Sequence, residues 1–405
     1  MKIAIASDFH LGFNEDAFEQ ARRCLRSACE STDFVLLAGD LFDSRVPKQE
    51  TIHDSVKLYK EFSEKLKSSK IILKEAVGNS EKELQASPLL GIYGTHERRA
   101  KGLSNIIQIL NDAGLMVNVH ARKILVEKIS SGKRERVCVQ GMGGVPEEMA
   151  AQAIGLLSPH PVEGFFNIFV FHQSVRELIP QDENALCMAD LPKGFDLYVN
   201  GHIHWRQELK EAGKTLIIPG STVVTQMKKN EANPKGYYVY DTDKRAAEFM
   251  EIQTRPFSFK ELEFSGAKPS EVEAASREFL DTTAAENPDE APLVKLKLKG
   301  TLAKGLPASS VDATKLEKEY AGRLLLSVEK QLGTLEIKEK IELLRKIREE
   351  KTGAKEMGLA ILKKLVAENG ADKTLGITTE ELFELLSQEE VDLAIERLLA
   401  GQKTA

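Results

Sequence analysis

The ten residues Phe195–His204 read FDLYVNGHIH. Their first half is apolar and aromatic, the composition of a strand buried on both faces. Their second half turns polar at once, through Asn200 and Gly201 to histidines at i and i+2, His202 and His204. Two imidazoles so placed beside a strand end can aim at one centre. The same pattern recurs. KIAIASDFH ends in Asp8 and His10, FVLLAGDLFD in Asp40 and Asp43, LLGIYGTHE in Thr95, His96 and Glu97, and FNIFVFH in His172. Ligands of α/β sheets bind beyond the carboxyl ends of the strands. Five strands therefore deliver carboxylate and imidazole to one edge. Five of the chain's eight histidines lie in these positions, which makes a joint site a better account than chance.

Around these runs, TLIIP and YYVYD read as further strands. Between the first two strands, Ala17, Phe18, Ala21, Cys24, Leu25 and Ala28 recur at helical spacing. HDSVKLYKEFSEKL and LSNIIQILNDAG read as more helices, and KEAVGNSEKELQASP as loop or frayed helix. Alternating strands and helices predict an α/β fold, a layered sheet covered by helices. Past TRPFSF the order becomes strand, helix, strand, helix, strand. There SEVE from Ser270 is a capping box, PLVKLKLKG alternates like a half-exposed strand, and RLLLSVEKQ closes a small α+β domain near Gly333. The rest is helical and charged. Ile337, Ile341, Leu344 and Ile347 form one apolar stripe, and Met357, Ile361, Leu362 and Leu365 another. TTEE from Thr378 and SQEE from Ser387 read as capping boxes opening short helices that carry Leu382, Phe383 and Leu386, then Val391, Ile395 and Leu398. So small a unit has little room for its own core, and its apolar faces call for a partner, the alternative being that it packs on its own chain.

With 405 residues the chain is too long for one ordinary core, and two or three domains are expected. At 42% hydrophobic and 29% charged it reads as globular, with no apolar run of membrane-spanning length. Asp8 and His10 interrupt the opening MKIAIASDFHLG, which favours a buried strand over a signal peptide. Cys24, Cys29, Cys138 and Cys187 lack C-x-x-C spacing, which fits a reducing cytoplasm. A net charge of −6 argues mildly against a protein that coats nucleic acid. It leaves a nuclease open, since phosphate binding needs only a local basic surface and metal charge.

Each strand-end motif has a bland reading: a lone D-x-H is a loop, Gly39-Asp40 a turn, His172 a core histidine. Together they predict a two-metal site. Phosphodiester hydrolysis needs an in-line hydroxide and neutralised charge at phosphorus, and two ions roughly 3.5–4 Å apart provide both. Mixed Asp and His donors suit Mn, Fe or Zn better than Ca or Mg. A histidine that binds no metal can orient or protonate the phosphate, and His96 is the candidate. His53, His120 and His160 read as structural.

These residues resemble the calcineurin-like metallophosphoesterase superfamily, whose pattern is D-x-H, G-D-x-x-D, G-N-H-(D/E), a lone His and G-H-x-H. AGDLFDSRVP, VNGHIH, IIPGSTVVTQM and PKGYYVYD further resemble the SbcD-type (meiotic-recombination-eleven) family of DNA double-strand break repair nucleases. The resemblance implies a layered phosphoesterase sandwich and a Mn-dependent exonuclease/endonuclease. Residues 1–252 would be the nuclease domain, 253–333 a DNA-capping domain and 334–405 a segment docking on an SbcC-type (Rad-fifty) ATPase. It implies that Asp8, His10, Asp40 and His204 hold one Mn ion and that Asp40, Thr95, His172 and His202 hold the other. Asp40 would bridge, His96 would contact the scissile phosphate, and Asp43, Glu97 and Asn200 would support the site. It implies a homodimer through the helices after the first two strands. Two positions depart from the pattern: Asp43 stands where many relatives carry His, and Thr95 replaces Asn.

Two other readings compete. A phosphatase or cyclic-nucleotide phosphodiesterase could use the same fold, but would need neither the small domain nor the helical tail. A non-catalytic scaffold predicts missing ligands, and nearly all are present.

Overall fold

The computed structural model describes residues 1–66, 71–100, 102–130, 132–211, 213–334, 354–368, 377–388 and 390–401. The chain forms two compact units. One comprises Met1–Lys260, Asp281–Lys295 and Tyr320–Ser327, and the other Glu261–Leu280, Leu296–Glu319 and Val328–Ala405.

The first unit holds two sheets. One is built from β1 (Lys2–Ala6), β2 (Phe34–Leu37), β5 (Leu89–Gly91), β6 (Val117–Asn118), β13 (Gly236–Asp241) and β14 (Ala246–Glu251), in the order β14-β13-β1-β2-β5-β6. The other contains β3 (Ile71–Val77), β4 (Ser80–Glu83), β7 (Lys123–Ser130), β8 (Lys133–Met142), β9 (Phe166–Phe171), β10 (Leu197–Asn200), β11 (Gln207–Glu211) and β12 (Lys214–Ile218), in the order β11-β12-β10-β9-β8-β7-β3-β4. Side chains of a strand alternate between faces, and here both faces are buried. Ile3, Ile5, Phe34 and Leu36 pack with Val139, Ile168, Val170 and Val199 between the sheets. Their neighbours Ala4, Ala6, Val35 and Leu37 pack outward on Ala21, Cys24 and Leu25 of α1 (Glu15–Ser31) and Leu58 and Phe62 of α2 (Gln49–Leu66). The short helix α3 (Ile106–Asp112) joins that layer through Ile106, Ile107 and Leu110. Phe169, Phe171, Tyr198 and Leu216 pack on Ala150 and Ile154 of α4 (Ala150–Leu157) on the opposite side. The result is helix, sheet, sheet, helix. Each large apolar side chain buried this way contributes about 1.5–3 kcal/mol. The seven strands expected from apolar runs all form.

What positions the site is parallelism. β1, β2, β5 and β6 pair in parallel, as do β8, β9, β10 and β12. Within each sheet, the carboxyl ends of these strands therefore meet at one edge.

Three expectations need correction. KEAVGNSEKELQASP is neither loop nor helix at its start: β3 and β4 form a hairpin with Val77 paired to Ser80 across a two-residue turn. Gly78 takes φ +57° there, a conformation glycine adopts freely. All four residues of β4 are exposed, so no burial pattern marks it as a strand. Ser270 does not cap a helix. α5 (Pro269–Glu286) starts one residue earlier, with proline in the first turn, where no N–H is needed, and Glu271 accepts from the Lys268 N–H at 2.9 Å. Ser387 also caps nothing: it ends the helix Thr379–Ser387, and its hydroxyl donates to the Glu384 carbonyl. Thr378, in contrast, forms its box with Glu381.

After residue 256 the order is β15 (Phe257–Ala267), α5, β16 (Leu293–Leu302), α6 (Ala313–Glu319) and β17 (Leu325–Thr334), the strands forming a β15-β16-β17 sheet. Val272, Leu296, Leu298, Leu302 and Leu316 are buried. The Ile337–Ile347 stripe lies outside the described residues. Beyond it are helices Ala354–Glu368, Thr379–Ser387 and Val391–Gly401. Leu365, Leu386, Val391, Leu393 and Ile395 on them stay exposed. Among the described residues no helix is long and apolar enough to cross a membrane.

Candidate metal centre

The loops after β1 and β2 are zipped together. Asp8 N–H donates to Gly39 O at 3.0 Å, and His10 N–H to Asp40 O at 3.1 Å. Asp8, His10, Asp40 and His202 have φ of 53°, 47°, 47° and 69°. Side-chain-bearing residues avoid this region at a cost of about 1–3 kcal/mol each, and here it turns four polar side chains toward the strand ends. The third loop must pass very close. A Cβ on Gly94 would lie 2.2 Å from Asp40 Oδ1, so glycine is required. The His96 N–H then reaches that oxygen at 2.8 Å.

The structure gathers Asp8, His10 and His204 into one cluster and Asp40, His172 and His202 into a second, and it brings His10, Asp43 and His96 into a third that shares His10 with the first. Their hydrogen bonds decide which atoms face inward. His10 Nδ1 lies 3.0 Å from Asp43 Oδ1. A carboxylate accepts only, so Nδ1 carries the proton and Nε2 a lone pair. His204 Nδ1 lies 2.6 Å from Thr225 Oγ1, whose hydroxyl donates onward to Glu231 Oε1 at 3.3 Å. His204 Nδ1 is therefore also the donor. The two Nε2 atoms face each other at 3.3 Å, with Asp8 Oδ1 3.9 Å and 3.7 Å away. In the second cluster, His172 Nδ1 donates to Ala38 O at 2.7 Å. Its Nε2 is buried without a hydrogen-bond partner, 3.0 Å from Asp40 Oδ2. Burial, with His172 beside it, pushes His202 down to about 3 and keeps it neutral. Burial opposes charge on Asp40, yet the surrounding imidazoles hold its carboxyl far below the usual range. In the neutral rings of His10 and His204 the Nε2 lone pairs face each other and the Asp8 carboxylate, and a divalent cation between them would remove the repulsion. Burial opposes charge on His172, but Asp40 raises its imidazole to about 10, so a cation in the second cluster would take the place of that proton. Each inward imidazole has its other nitrogen fixed from behind or its proton suppressed, as metal-ligating histidines do. The residues present fit metal ions.

Other expected residues fall elsewhere. Thr95 Oγ1 donates to Asp40 Oδ2 at 3.2 Å. His96 donates through Nδ1 to the Asp43 carbonyl at 2.9 Å, which leaves Nε2 free on a ring 43% exposed. Asp43 is thus a brace behind His10 and His96. Glu97 is a brace too: it is fully buried and accepts from the N–H groups of Phe42 at 2.8 Å and Gly94 at 2.7 Å. Burial and the Asp40 charge push its carboxyl up to about 8. Asn200 ties the ends of β9 and β10 together through both Gln173 backbone groups. His120, with Nδ1 accepting from Gly143 N–H and Nε2 3.2 Å from the Tyr93 hydroxyl, is structural.

Sequence reasoning missed the outer supports. Glu231 accepts from the Thr225 and Gln226 N–H groups. Burial opposes its charge, but His204 and Lys235 hold it at about 2. Lys235 Nζ, buried, binds His204 O and Ser221 Oγ, both at 2.9 Å. Glu147 Oε1 sits 3.6 Å from His202 Nε2 while binding the Ser174 N–H. None stands at a strand end or follows a periodic pattern. Thr225 and Lys235 lie within IIPGSTVVTQM and PKGYYVYD, segments that carry the family resemblance, whereas Glu147 and Glu231 have no such mark.

A model of the calcineurin-like phosphoesterase matches residues 1–206, and so takes in every loop from Asp8 to His204. The chain belongs to the calcineurin-like phosphoesterase family. Such phosphoesterases work with divalent metal ions, which accords with these Asp/His clusters. Among curated relatives of this phosphoesterase, "DNA double-strand break repair protein Mre11" of Archaeoglobus fulgidus is 24% identical over 96% of this chain and 87% of its own. "Double-strand break repair protein mre-11" of Caenorhabditis elegans is 26% identical over 66% of this chain and 42% of its own. The human MRE11 is 28% identical over 58% and 38%. The chain thus spans about two fifths of the length of these eukaryotic relatives. Of solved structures, that titled "Structural and Functional Characterization of a Novel Archaeal Phosphodiesterase" is 15% identical over 62% of this chain and 100% of its own, with a TM-score of 0.29.

Proposed function

We propose that the chain is a Mn-dependent DNA nuclease, the phosphodiesterase subunit of a double-strand break repair complex. The observation that carries this reading is the set of Asp/His clusters at the strand ends, with imidazoles and carboxylates facing inward and the His96 Nε2 free beside them. Asp8, His10, Asp40 and His204 would hold one ion, and Asp40, Thr95, His172 and His202 the other. Bound there, the ions supply a hydroxide near neutral pH and neutralise charge on the phosphate. His96 Nε2 hydrogen-bonds or protonates the scissile phosphate, while Asp43 holds its ring and that of His10. The donor set favours Mn, Fe or Zn over Mg, and Mn is our choice. Residues 1–252 act as the nuclease domain, 253–333 cap the DNA, and 334–405 dock on an SbcC-type ATPase. Exposed Leu365, Leu386, Val391 and Ile395 support the docking role. α1 and α2 serve a homodimer, and the cytoplasm is the compartment.

The test is purified protein with labelled single- and double-stranded DNA, with and without Mn²⁺, beside bis(p-nitrophenyl) phosphate. Cleavage of DNA that requires Mn²⁺ and stops on chelation is expected. Cleavage that survives full chelation sinks the metal mechanism. Hydrolysis of the small diester with intact DNA favours the phosphatase or cyclic-nucleotide reading.

A further inference from the structure

The ligand clusters do not fill the cleft they open into. It has a volume of about 460 Å³, and Asp40, His96 and His204 share it with Leu178, Ile179 and Trp205. The same cleft is also lined by the polar Gln181, Gln226 and Asn230, so Leu178, Ile179 and Trp205 are apolar surface set among groups suited to a phosphate. A phosphoryl group alone has no use for an indole and two aliphatic side chains. A nucleotide does, because its base has a flat π-face to bury.

We propose that Trp205 is the base-stacking platform of the active-site cleft, holding the nucleobase next to the scissile phosphate. The inference rests on the nuclease reading above and names how that site grips its substrate. Three observations single this residue out. It directly follows His204, whose carbonyl is pinned by Lys235 Nζ and Ser221 Oγ, so indole and ligand are set by one fixed backbone. The next turn is locked from outside: Gly220, at φ +78°, lets the backbone of Trp205 and Arg206 pass within about 3 Å of where a Cβ would stand. The indole is only partly buried against the Phe169–Tyr198 cluster, and its Nε1 makes no hydrogen bond among the described residues. A tryptophan that served only as core would bury its faces or bond its N–H. Lys228 lines the same cleft and supplies positive charge for a neighbouring phosphate.

Trp205 is the chain's single tryptophan, so its fluorescence is an unambiguous probe. The experiment uses the full chain, a single-stranded oligonucleotide and an abasic strand of equal length. Without divalent metal, the normal strand should quench wild-type emission and the abasic strand should not. With Mn²⁺, Trp205→Ala should raise KM for the normal strand about tenfold, while Trp205→Phe stays within about threefold of wild type. For the abasic strand both variants should match wild type, which also reports that they fold. Equal quenching by both strands, no quenching by either, or a Trp205→Ala defect of equal size on both substrates would overturn the stacking role. If wild type with Mn²⁺ cleaves neither strand, the nuclease reading falls and takes this inference with it. DNA cleavage with an unmoved KM defeats only the role of Trp205.

Discussion

Thr95 and His96 are neighbours with different work. The Thr95 hydroxyl is turned to Asp40, the proposed bridging ligand, and is a weaker donor than the amide of the family pattern. Thr95→Asn should lower the Mn²⁺ concentration for half-maximal activity about tenfold, with little change in the plateau. His96 is held through Nδ1 and offers Nε2 to the cleft. His96→Ala should lower the plateau about a hundredfold without moving the midpoint. Paired Mn²⁺ titrations check both, and a shifted midpoint in His96→Ala would make His96 a ligand. Behind His204, Thr225→Val removes the hydroxyl that fixes its tautomer. Calorimetry should show Mn²⁺ binding weakened about tenfold or more, and unchanged affinity would reduce Thr225 to packing. The inward residues were legible in the sequence because strand ends are where such a fold collects ligands. Thr225, Glu231 and Lys235 were not, since a hydrogen bond from behind leaves no mark in spacing.

At the scale of elements, strands buried on both faces announced themselves, because nearly every position is apolar. The β3–β4 hairpin did not: one edge strand is charged throughout, and it is held by pairing. Its anchor is the Arg122 guanidinium, which donates to both Glu75 oxygens at 2.7 and 2.8 Å and to Asn118 O at 2.8 Å. Hydrogen bonds from Arg122 hold the Glu75 carboxyl below its ordinary 4.5. A carboxyl lowered by folding stabilises the fold fully above pH 4.5 and loses that contribution as pH falls below it. Glu75→Gln should therefore cost about 1 kcal/mol at pH 7 and progressively less in acid. Denaturant unfolding at pH 7 and pH 3 measures it, and an equal loss at both values would contradict the pairing.

For the whole molecule, ions that bind only the folded chain add to its stability. At a free Mn²⁺ concentration of about 100 Kd the gain is about 2.7 kcal/mol per site. The Tm should rise with Mn²⁺ and fall on chelation, and Asp40→Ala, lacking the carboxylate proposed to bridge the ions, should lose most of that rise. A Tm indifferent to metal would mean the clusters hold none. The layer architecture was readable from alternating elements, whereas the pairing of β1 with β13 was not, because no local pattern specifies a neighbour so far along the chain. That pairing also has a consequence for synthesis. Ile3 lies against Tyr240, and the ligands run from Asp8 to His204. At about 5–20 residues per second, a ribosome releases Asp8 and His10 about 10–40 s before His204 exists, and β1 waits longer still for its outer partner. The nascent chain thus carries incomplete sets of ligands until His204 is made, and an open strand edge until Tyr240 follows. Metal loading can only be a late event, completing a fold that has had to find its own way there.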